Sequence, residues 1–386
     1  MPRVVLPEAG ECHLPIHLWG RSTPAGALEQ LKRIATQRYV VEHVAGMPDL
    51  HVAQGVAVGT VFATADTVVP AALGGDLGCG MSAMRFDYPA ARLSTGDLTR
   101  FLGVLSQRIP VGDSTHRGKG MPVPDDLLVA PLSTGALEHA RERLTPKHLG
   151  TLGGGNHFLE LDRDGGGDLW LLVHSGSRGL GAAVAAHHLR AAEEHGAGDI
   201  PGLRCETEPG QACLGDIHWA LTFARANRDA LVKTVAESLG ELTGQAPDWD
   251  SWVDVHHNFV RFEHHLGRRL LVHRKGAIGA PSGERALIPG SMGTASYIVE
   301  GKGEPHSFCS ASHGAGRVMT RREARKEIRP ERLAHAMRRV IFDQRRLSSL
   351  VEEAPMAYRD IGEVLEDEED LVRPVLRLVP IAVVKG

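Results

Sequence analysis

The sequence predicts one large α+β domain over residues 1–386, with mixed β-sheets in the core and helices around them. The 386 residues are 42% hydrophobic, which is enough to bury a large core. Strand-like and helix-like stretches both occur along the chain, and no internal repeat or low-complexity linker divides it. These observations favour one domain over two, although the length alone allows either.

The first part of the chain predicts a helix followed by strands. Leucine and isoleucine recur at helical spacing in 24–37, after a proline suited to a first helical turn. β-Branched residues in 40–44 and 55–61 predict two strands. The second strand leads into the glycine-rich turn 74–80, which contains Asp76 and Cys79.

The middle of the chain alternates between helices and strands. Helices are predicted at 98–107 and 136–144. The Pro/Gly/Asp-rich residues 110–126 between them predict a loop, to which the sequence assigns no function. The apolar run 169–173 predicts a buried strand that delivers His174 at its end, a position where functional sites are often built.

Two alanine-rich helices follow, at 182–195 and 216–239, joined by 196–215. The second is long enough for either a spine or a protruding arm, and we predict a helical arm over roughly 182–245. The remaining predicted elements are strands at 253–255, 269–273 and 296–299, helices within 321–351, and a final strand at 375–386.

Charge and cysteine content exclude several protein classes. A net charge of -4 and a pI near 6.6 argue against nucleic-acid binding by bulk charge, so any such contact needs a local basic patch. Arginines cluster between Arg317 and Arg346, where a solvated helix face is an equally good interpretation. Five cysteines without a Cys-x-x-Cys pair argue against a disulfide framework and predict a reducing, cytoplasmic setting. No apolar run is long enough to span a membrane.

The stretch Ser312–Arg317 predicts a phosphate site that contains a nucleophile. Glycines at 314 and 316 let an anion approach both His313 and the neighbouring backbone N–H groups. The alternative is a turn with a surface histidine ahead of the helix predicted at 320–326.

Five dispersed residues form a candidate metal-ligand set: Asp76, Cys79, His157, His174 and His257. Carboxylate, thiolate and imidazole together suit a borderline divalent ion such as Zn²⁺, Mn²⁺ or Co²⁺, and a shared thiolate would let five ligands hold two ions. Each residue taken alone is more often a buried core side chain. The chain lacks both a Walker phosphate loop and a Gly-x-Ser-x-Gly elbow, so phosphate chemistry has to rest on metals, His313 and arginines.

Taken together, these motifs resemble the RtcB RNA-splicing ligases over nearly the whole chain, in the family's order. The matching stretches are 47–51, 74–81, 153–161, 174–181, 257–258, 273–277, 289–294, 313–317 and the terminal Lys385-Gly386.

The resemblance implies a role for each candidate. Cys79 would bridge two Mn²⁺ ions, one shared with His174 and His257 and the other with Asp76 and His157. His313 would attack the α-phosphorus of GTP and carry GMP as a phosphoramidate. The implied nucleotide contacts are Asn156 at the α-phosphate, Glu160, Ser291, Tyr358 and Lys385 around guanine and ribose, and Arg178 and Arg317 at phosphates of nucleotide or RNA.

The implied activity joins RNA ends that carry a 3′-phosphate or a 2′,3′-cyclic phosphate to 5′-hydroxyl ends, in RNA splicing or repair. We expect a monomer without a membrane partner, and the sequence does not decide whether an archease-type activator is needed. The alternatives are a metal-dependent RNA phosphodiesterase or phosphatase that has lost ligation, and a non-enzymatic RNA-binding module. His256 and the stretch 277–280 depart from the family pattern, which affects the expected surroundings of the metal ligands and the expected contacts with RNA.

Overall fold

A computed structural model describes residues 2–7 and 13–386, so Cys12 lies outside the described residues. The helices are α1 (Ala25–Ala35), α2 (Thr95–Arg108), α3 (Asp125–Val129), α4 (Gly135–His148), α5 (Arg178–His195), α6 (Glu208–Thr243), α7 (Arg321–Glu327), α8 (Pro330–Ala336), α9 (Leu347–Leu350) and α10 (Ile361–Asp367). The strands up to α6 are β1 (Arg3–Val5), β2 (Ile16–Leu18), β3 (Val40–His51), β4 (Val58–Thr64), β5 (Thr67–Val68), β6 (Gly80–Pro89), β7 (Phe158–Arg163), β8 (Asp168–Ser175) and β9 (Leu203–Arg204). After α6 come β10 (Pro247–His256), β11 (Asn258–His265), β12 (Arg268–Lys275), β13 (Ala277–Gly279), β14 (Arg285–Ile288), β15 (Ser296–Gly301), β16 (Ser310–Ser312) and β17 (Val372–Lys385).

Two large sheets organise these elements, as the α+β prediction requires. One has six strands in the order β1-β2-β3-β4-β12-β11, and the other has seven in the order β10-β6-β8-β7-β17-β15-β14. The short strands β13 and β16 pair with each other and pack between the sheets.

Apolar side chains cover both faces of the seven-stranded sheet. Leu171 and Val173 of β8 face α2 and α6, while Trp170 and Leu172 face α7 and α8. This burial on both sides explains why β8 is an uninterrupted apolar run rather than an alternating one. The six-stranded sheet packs its outer face against α1, so the predicted helix 24–37 is confirmed with ends at Ala25 and Ala35.

Of the two forms that the sequence allowed for the second alanine-rich helix, α6 packs along the molecule as a spine. Sixteen of its 36 residues are buried, from Gly210 near its start to Leu239 near its end. It contacts α5 and α2, and it also contacts β6 and β8 of the seven-stranded sheet. Its N-terminus is eight residues earlier than predicted because Thr207 caps the helix and a proline occupies its first turn.

Other predicted elements are present with shifted bounds. The strand predicted at 55–61 begins at Val58, and the helical region 321–351 divides into α7, α8 and α9 because Pro330 starts a new helix. The loop predicted at 110–126 is confirmed up to Asp125, where α3 begins. Within the described ranges, no helix combines the length and apolarity needed to cross a membrane.

A buried ion pair joins α6 to the turn that carries Cys79. Arg228 donates to Asp254 from Nε and Nη2 at 2.7 and 2.8 Å, and its Nη1 contacts the carbonyls of Gly78 and Ser175 at 3.1 and 3.3 Å. None of the Arg228 side chain is exposed. Burial alone would raise the pKa of Asp254, but the charge of Arg228 outweighs it and holds that pKa below its ordinary value.

Replacing Arg228 should therefore destabilise the fold. We expect Arg228→Met to lower the free energy of unfolding by about 3–5 kcal/mol, because the buried Asp254 charge loses its cationic partner and keeps only the Ser82 hydroxyl. Arg225→Met, on the exposed part of the same helix, should cost only about 0.5–1 kcal/mol through its lost contact with the Trp252 ring. If urea unfolding gave equal losses of unfolding free energy for the two variants, the role given to the buried ion pair would be contradicted.

Candidate active site

The predicted metal ligands meet at one end of the seven-stranded sheet. Two adjacent rows of paired residues cross the sheet there, one with His256, Gly80 and Ser175, and the next with Val255, Met81, His174, Phe158 and Lys385. Cys79, His157 and His257 are each the chain neighbour of a residue in these rows. Strand register therefore gathers side chains that are far apart in sequence.

The ligand atoms form two groups that share one sulfur. Cys79 Sγ lies 3.3 Å from His157 Nε2 and 3.2 Å from His174 Nε2. Asp76 Oδ2 is 3.1 Å from His157 Nε2, and His257 Nε2 is 3.0 Å from His174 Nε2. Within each group the ligand atoms all lie within 4.8 Å of one another. The five predicted ligands thus converge as two candidate cation sites with Cys79 in common.

The protonation states of these groups suit a divalent cation. His157 Nδ1 contacts the carbonyl of Leu152 at 2.9 Å, which assigns the proton to Nδ1 and leaves the Nε2 lone pair free. Burial lowers the pKa of His174 and His257 well below the usual value, so both rings are neutral. Burial and the nearby Asp76 raise the pKa of the Cys79 thiol, so a bound cation would be needed to release its proton.

Polar contacts hold the turn that carries Asp76 and Cys79. Asn258 Nδ2 donates to the Asp76 carbonyl at 3.0 Å, and His256 Nδ1 lies 3.0 Å from the Gly78 carbonyl. Burial, reinforced by the charge of Arg228, lowers the pKa of His256 to about 4, so its ring is neutral and donates to that carbonyl. The departure at His256 therefore supports the turn without competing for the cation.

His313 follows β16 and is anchored from the other large sheet. Its Nδ1 lies 2.5 Å from Oδ2 of Asp49 on β3, and the Asp49 side chain is completely buried. This contact leaves Nε2 as the nitrogen available to a substrate. The His313 ring centroid lies 4.8 Å from that of His257, so the candidate nucleophile adjoins the metal ligands.

Two glycines make this position of His313 possible. Gly316 has a φ of 70°, and a Cβ there would lie 2.8 Å from the Asp49 Cβ. Gly276 has a φ of 62°, and a Cβ there would lie 2.2 Å from Val58 and 3.3 Å from the His313 ring. Side chains at either position would displace His313 from its partner.

A cavity of about 310 Å³ opens beside His313 and the metal ligands. Nine of the predicted site residues line it: Asp76, Asn156, His174, His257, Ser291, His313, Arg317, Tyr358 and Lys385. Cys79 and His157 are buried in contact with lining residues. Glu160 and Arg178 are not among the residues that line the cavity.

Lys385 is fixed in the cavity wall rather than in a frayed tail. Its Nζ lies 3.0 Å from Glu353 Oε2, donates to the Asn156 carbonyl at 2.9 Å, and lies 5.3 Å from the Phe158 ring centroid. Arg346 contacts the Lys385 carbonyl and donates to the Gly386 carbonyl at 3.0 Å. A lysine ammonium has three N–H donors, so one remains for a ligand.

The guanidinium of Arg317 is hydrogen-bonded to other groups of the protein. Its Nη1 lies 3.2 Å from Glu353 Oε1 and 3.0 Å from Tyr358 Oη, and its other N–H groups donate to the carbonyls of Met319 and Glu352. Tyr358 donates in turn to Glu353 at 2.6 Å. Arg317 therefore positions Tyr358, and its contact with a phosphate stays a prediction.

Glu160 lies on β7 in a buried acidic pair with Asp162. Burial, and then the neighbouring Asp162, raise the pKa of Glu160 well above its usual value. Burial also raises the pKa of Asp162 to about 8. Oε1 of Glu160 has no hydrogen-bond partner among the described residues.

Several residues of this site were not identified from the sequence. Asp49 and His51 belong to a quoted motif, but nothing in that motif indicated which side chain would reach His313. Glu353, which contacts both Tyr358 and Lys385, carried no sequence signal beyond a pair of adjacent glutamates. The cavity also includes Lys275, whose pKa is lowered by burial to about 8, and Arg321.

Comparisons with known proteins agree with this geometry. A family model described as tRNA-splicing ligase RtcB matches residues 30–128 and 129–386. An RNA-splicing ligase RtcB of Escherichia coli (strain K12) is 36% identical over 404 residues, covering 96% of this chain and 97% of that protein. The RNA-splicing ligase RtcB of Mycobacterium tuberculosis is 30% identical, covering 92% of this chain and 100% of that protein. The tRNA-splicing ligase RtcB of Nanoarchaeum equitans is 27% identical, covering 99% of this chain and 97% of that protein.

Because one sulfur belongs to both groups, its loss should affect two cations. We expect Cys79→Ser to weaken binding of both ions by at least about tenfold, since a hydroxyl is a poorer ligand than a thiolate. Cys213→Ser, at an equally buried position on α6 itself, should keep both ions. Metal counting by native mass spectrometry after loading with Mn²⁺ provides the measurement, and loss of a single ion would contradict the shared sulfur.

Proposed function

This chain belongs to the RtcB family of tRNA-splicing ligases, and on that basis we propose that it is an RNA ligase that works through a GMP–His313 intermediate. It would join RNA ends that carry a 3′-phosphate or a 2′,3′-cyclic phosphate to 5′-hydroxyl ends. The observation that carries the proposal is the placement of His313, with Nδ1 on a buried carboxylate and its ring beside the shared-sulfur ligand set.

The chemistry begins with His313 as nucleophile. Burial lowers its pKa, but Asp49 counteracts burial and leaves the pKa raised overall. When Nε2 attacks the α-phosphorus of GTP, pyrophosphate leaves and the ring becomes cationic. Asp49 stabilises that cation and holds the ring in the reactive orientation, as the carboxylate does in a hydrolase triad. The GMP then passes to an RNA 3′-phosphate, and a 5′-hydroxyl displaces it.

Two Mn²⁺ ions fit the ligand set of carboxylate, shared thiolate and three imidazoles, and when bound they would neutralise phosphate charge and polarise the reacting oxygens. Asp76, Cys79 and His157 would hold one ion, and Cys79, His174 and His257 the other. Asn156 lines the cavity between this ligand set and Lys385, which suits its proposed contact with the α-phosphate.

Guanine recognition is proposed at the part of the cavity wall that holds Lys385. The remaining N–H of Lys385 can donate to guanine O6. Glu160 does not line the cavity, so its unpaired Oε1 would have to be reached through that wall to accept from guanine N–H groups. Ser291 and Tyr358 line the same cavity and would contact the ribose or the base. Arg178 lies against the metal ligand His157, a position suited to an RNA phosphate rather than to the nucleobase.

The cellular setting follows from the same chemistry. A ligand thiolate requires Cys79 to stay reduced, and all four described cysteines are free, which supports a reducing compartment such as the cytoplasm. The chain would act as a monomer. An archease-type activator is a proposed partner, and guanylation measured with and without it tests whether it is needed.

The direct test is incubation with α-labelled GTP and Mn²⁺. We expect label on the protein that is stable in base and labile in acid, as a phosphoramidate is, and His313→Ala should abolish it. Because that change leaves Asp49 buried without a partner, it is also expected to reduce stability, contrary to the expectation for a simple loop residue.

His313→Asn, which keeps an amide donor near Asp49, separates chemistry from folding and should also carry no label. His218→Ala, at an exposed position on α6, should label like the wild type. A labelled His313→Asn protein would mean that another residue is the nucleophile.

Nucleotide selectivity should depend on Lys385. Adenine presents a donor where guanine has O6, so ATP would leave the Lys385 N–H unmatched, at about 1–3 kcal/mol for one buried group. We expect Lys385→Met to reduce the preference for GTP over ATP in protein labelling by about tenfold or more. Arg373→Met, an exposed cation on the same strand, should not change it. Unchanged selectivity in Lys385→Met would remove this residue from the guanine site.

A further inference from the structure

The arginine-rich segment 317–346 divides into a paired part and an unpaired part. Near the active-site cavity, its arginines form ion pairs with Glu352 and Glu353, so their charge is largely neutralised within the protein. Farther along, Arg338 and Arg339 are exposed, and within the described ranges neither forms an ion pair with a carboxylate. The positive charge of the segment is therefore available to a ligand only in this second part.

Arg338 and Arg339 border a groove of about 500 Å³, which we call the arginine groove. Arg377 of β17 also lines it, is exposed, and forms no ion pair among the described residues. The one carboxylate in the lining, Asp360, accepts a hydrogen bond from Gly362 N at 2.7 Å and thereby caps α10. Three arginines from two different elements thus share the groove with one occupied carboxylate.

The surroundings of the groove keep the same sign of charge. The charged residues of the lining segments 328–340, 360–363 and 377–380 are five arginines and three carboxylates: Arg329, Arg332, Arg338, Arg339 and Arg377 against Glu331, Asp360 and Glu363. All five arginines are exposed. The lining loop 293–297 adds no charged residue. The region is therefore net positive on a chain whose net charge is -4.

One tight turn separates the arginine groove from the active-site cavity. Residues 290–292 line the cavity, and residues 293–295 line the groove. Ser291 N donates to Thr294 Oγ1 at 2.8 Å, and Thr294 N donates to the Ser291 carbonyl at 3.1 Å. A ligand in the groove would therefore lie against the same turn that presents Ser291 to the nucleotide.

The groove also contains rings on which a nucleobase can stack. Tyr297 is half-buried in its wall, and His335 is exposed beside the arginines. Val340 and Pro380 add apolar surface. Exposed cations interleaved with aromatic rings are typical of surfaces that bind single-stranded nucleic acid, where arginines contact phosphates and rings contact bases. A small anion needs neither the rings nor a groove of this volume.

We propose that the arginine groove binds single-stranded RNA of the substrate, next to the ends that are joined, with Arg339 and Arg377 on its phosphates and Tyr297 on a base. This rests on the proposed ligase function. The groove supplies the local basic patch that a chain of negative net charge needs in order to hold a polyanion.

The test measures binding of a fluorescent RNA oligonucleotide with 5′-hydroxyl and 3′-phosphate ends by anisotropy, without GTP so that no ligation occurs. Arg339→Gln/Arg377→Gln is compared with Arg190→Gln/Lys233→Gln, which removes two exposed cations from α5 and α6. Loss of two phosphate contacts should lower the slope of log affinity against log salt by about 1.4 and weaken binding about tenfold near 0.15 M salt, since each single-strand contact contributes about 0.7. The control pair should bind like the wild type.

The base contact is tested separately at Tyr297. We expect Tyr297→Leu to weaken RNA binding about fivefold or more, because the stacking surface is lost, whereas Tyr297→Phe keeps the ring and should bind like the wild type. Equal affinities for these two variants would overturn the assignment of the groove to RNA rather than to a plain polyanion.

Labelling of the wild type with α-labelled GTP distinguishes failure of this proposal from failure of the ligase function. If the wild type accepts no GMP, the ligase proposal fails, and the anisotropy comparison still tests the groove. If the wild type accepts GMP and Arg339→Gln/Arg377→Gln keeps the wild-type affinity and salt slope, the groove does not bind RNA. Equal weakening in the control pair would likewise overturn the proposal, because the effect would then come from net charge alone.

Discussion

The site depends on the sulfur of Cys79, whose thiol would lose its proton only when a cation binds. Cys79 is completely buried, and burial together with Asp76 keeps its thiol protonated in the apo protein. A cation on either side of the sulfur would favour the thiolate, and the thiolate would then attract the second cation. Binding of two such ions would therefore be coupled through one proton. The surrounding imidazoles assist because they are neutral when buried and present lone pairs without competing for that proton.

That sulfur has to be held rigidly, and the charged core beneath it does so. Arg228 reaches from α6 to the Gly78 carbonyl immediately before Cys79, while Asp254 balances its charge. The long helix thus supports the ligand turn from below, and its packing on the sheet serves the site directly. A projecting arm could not hold Arg228 against that turn, which gives the spine a function in positioning the ligands.

The sequence identified the residues that the structure gathers as candidate metal ligands, but it did not identify the residues that hold them in place. Asp76, Cys79 and the three histidines were identifiable because polar ligand-type residues stood beside glycines or at strand ends. The sequence left open whether α6 is a spine or an arm, because alanine-rich composition predicts a helix without indicating what it packs against. Asp49, Glu353 and Asp162 were not identified because each acts through a tertiary contact. An acidic residue within an apolar strand looks the same in sequence whether it orients a histidine or caps a turn.

The two halves of the reaction centre come from different sheets, and this division constrains how the molecule can vary. The candidate metal ligands lie at one end of the seven-stranded sheet, whereas Asp49 and Lys275 belong to the six-stranded sheet. His313 lies between them, after β16, whose partner β13 packs in the core between the sheets. Its distance from the metal ligands is therefore set by small buried residues such as Ala277, Ala311 and Ala315. Larger side chains at these positions would move the nucleophile relative to the ligands. The alanines of 277–280, which depart from the family pattern, thus act on the spacing of the two sheets.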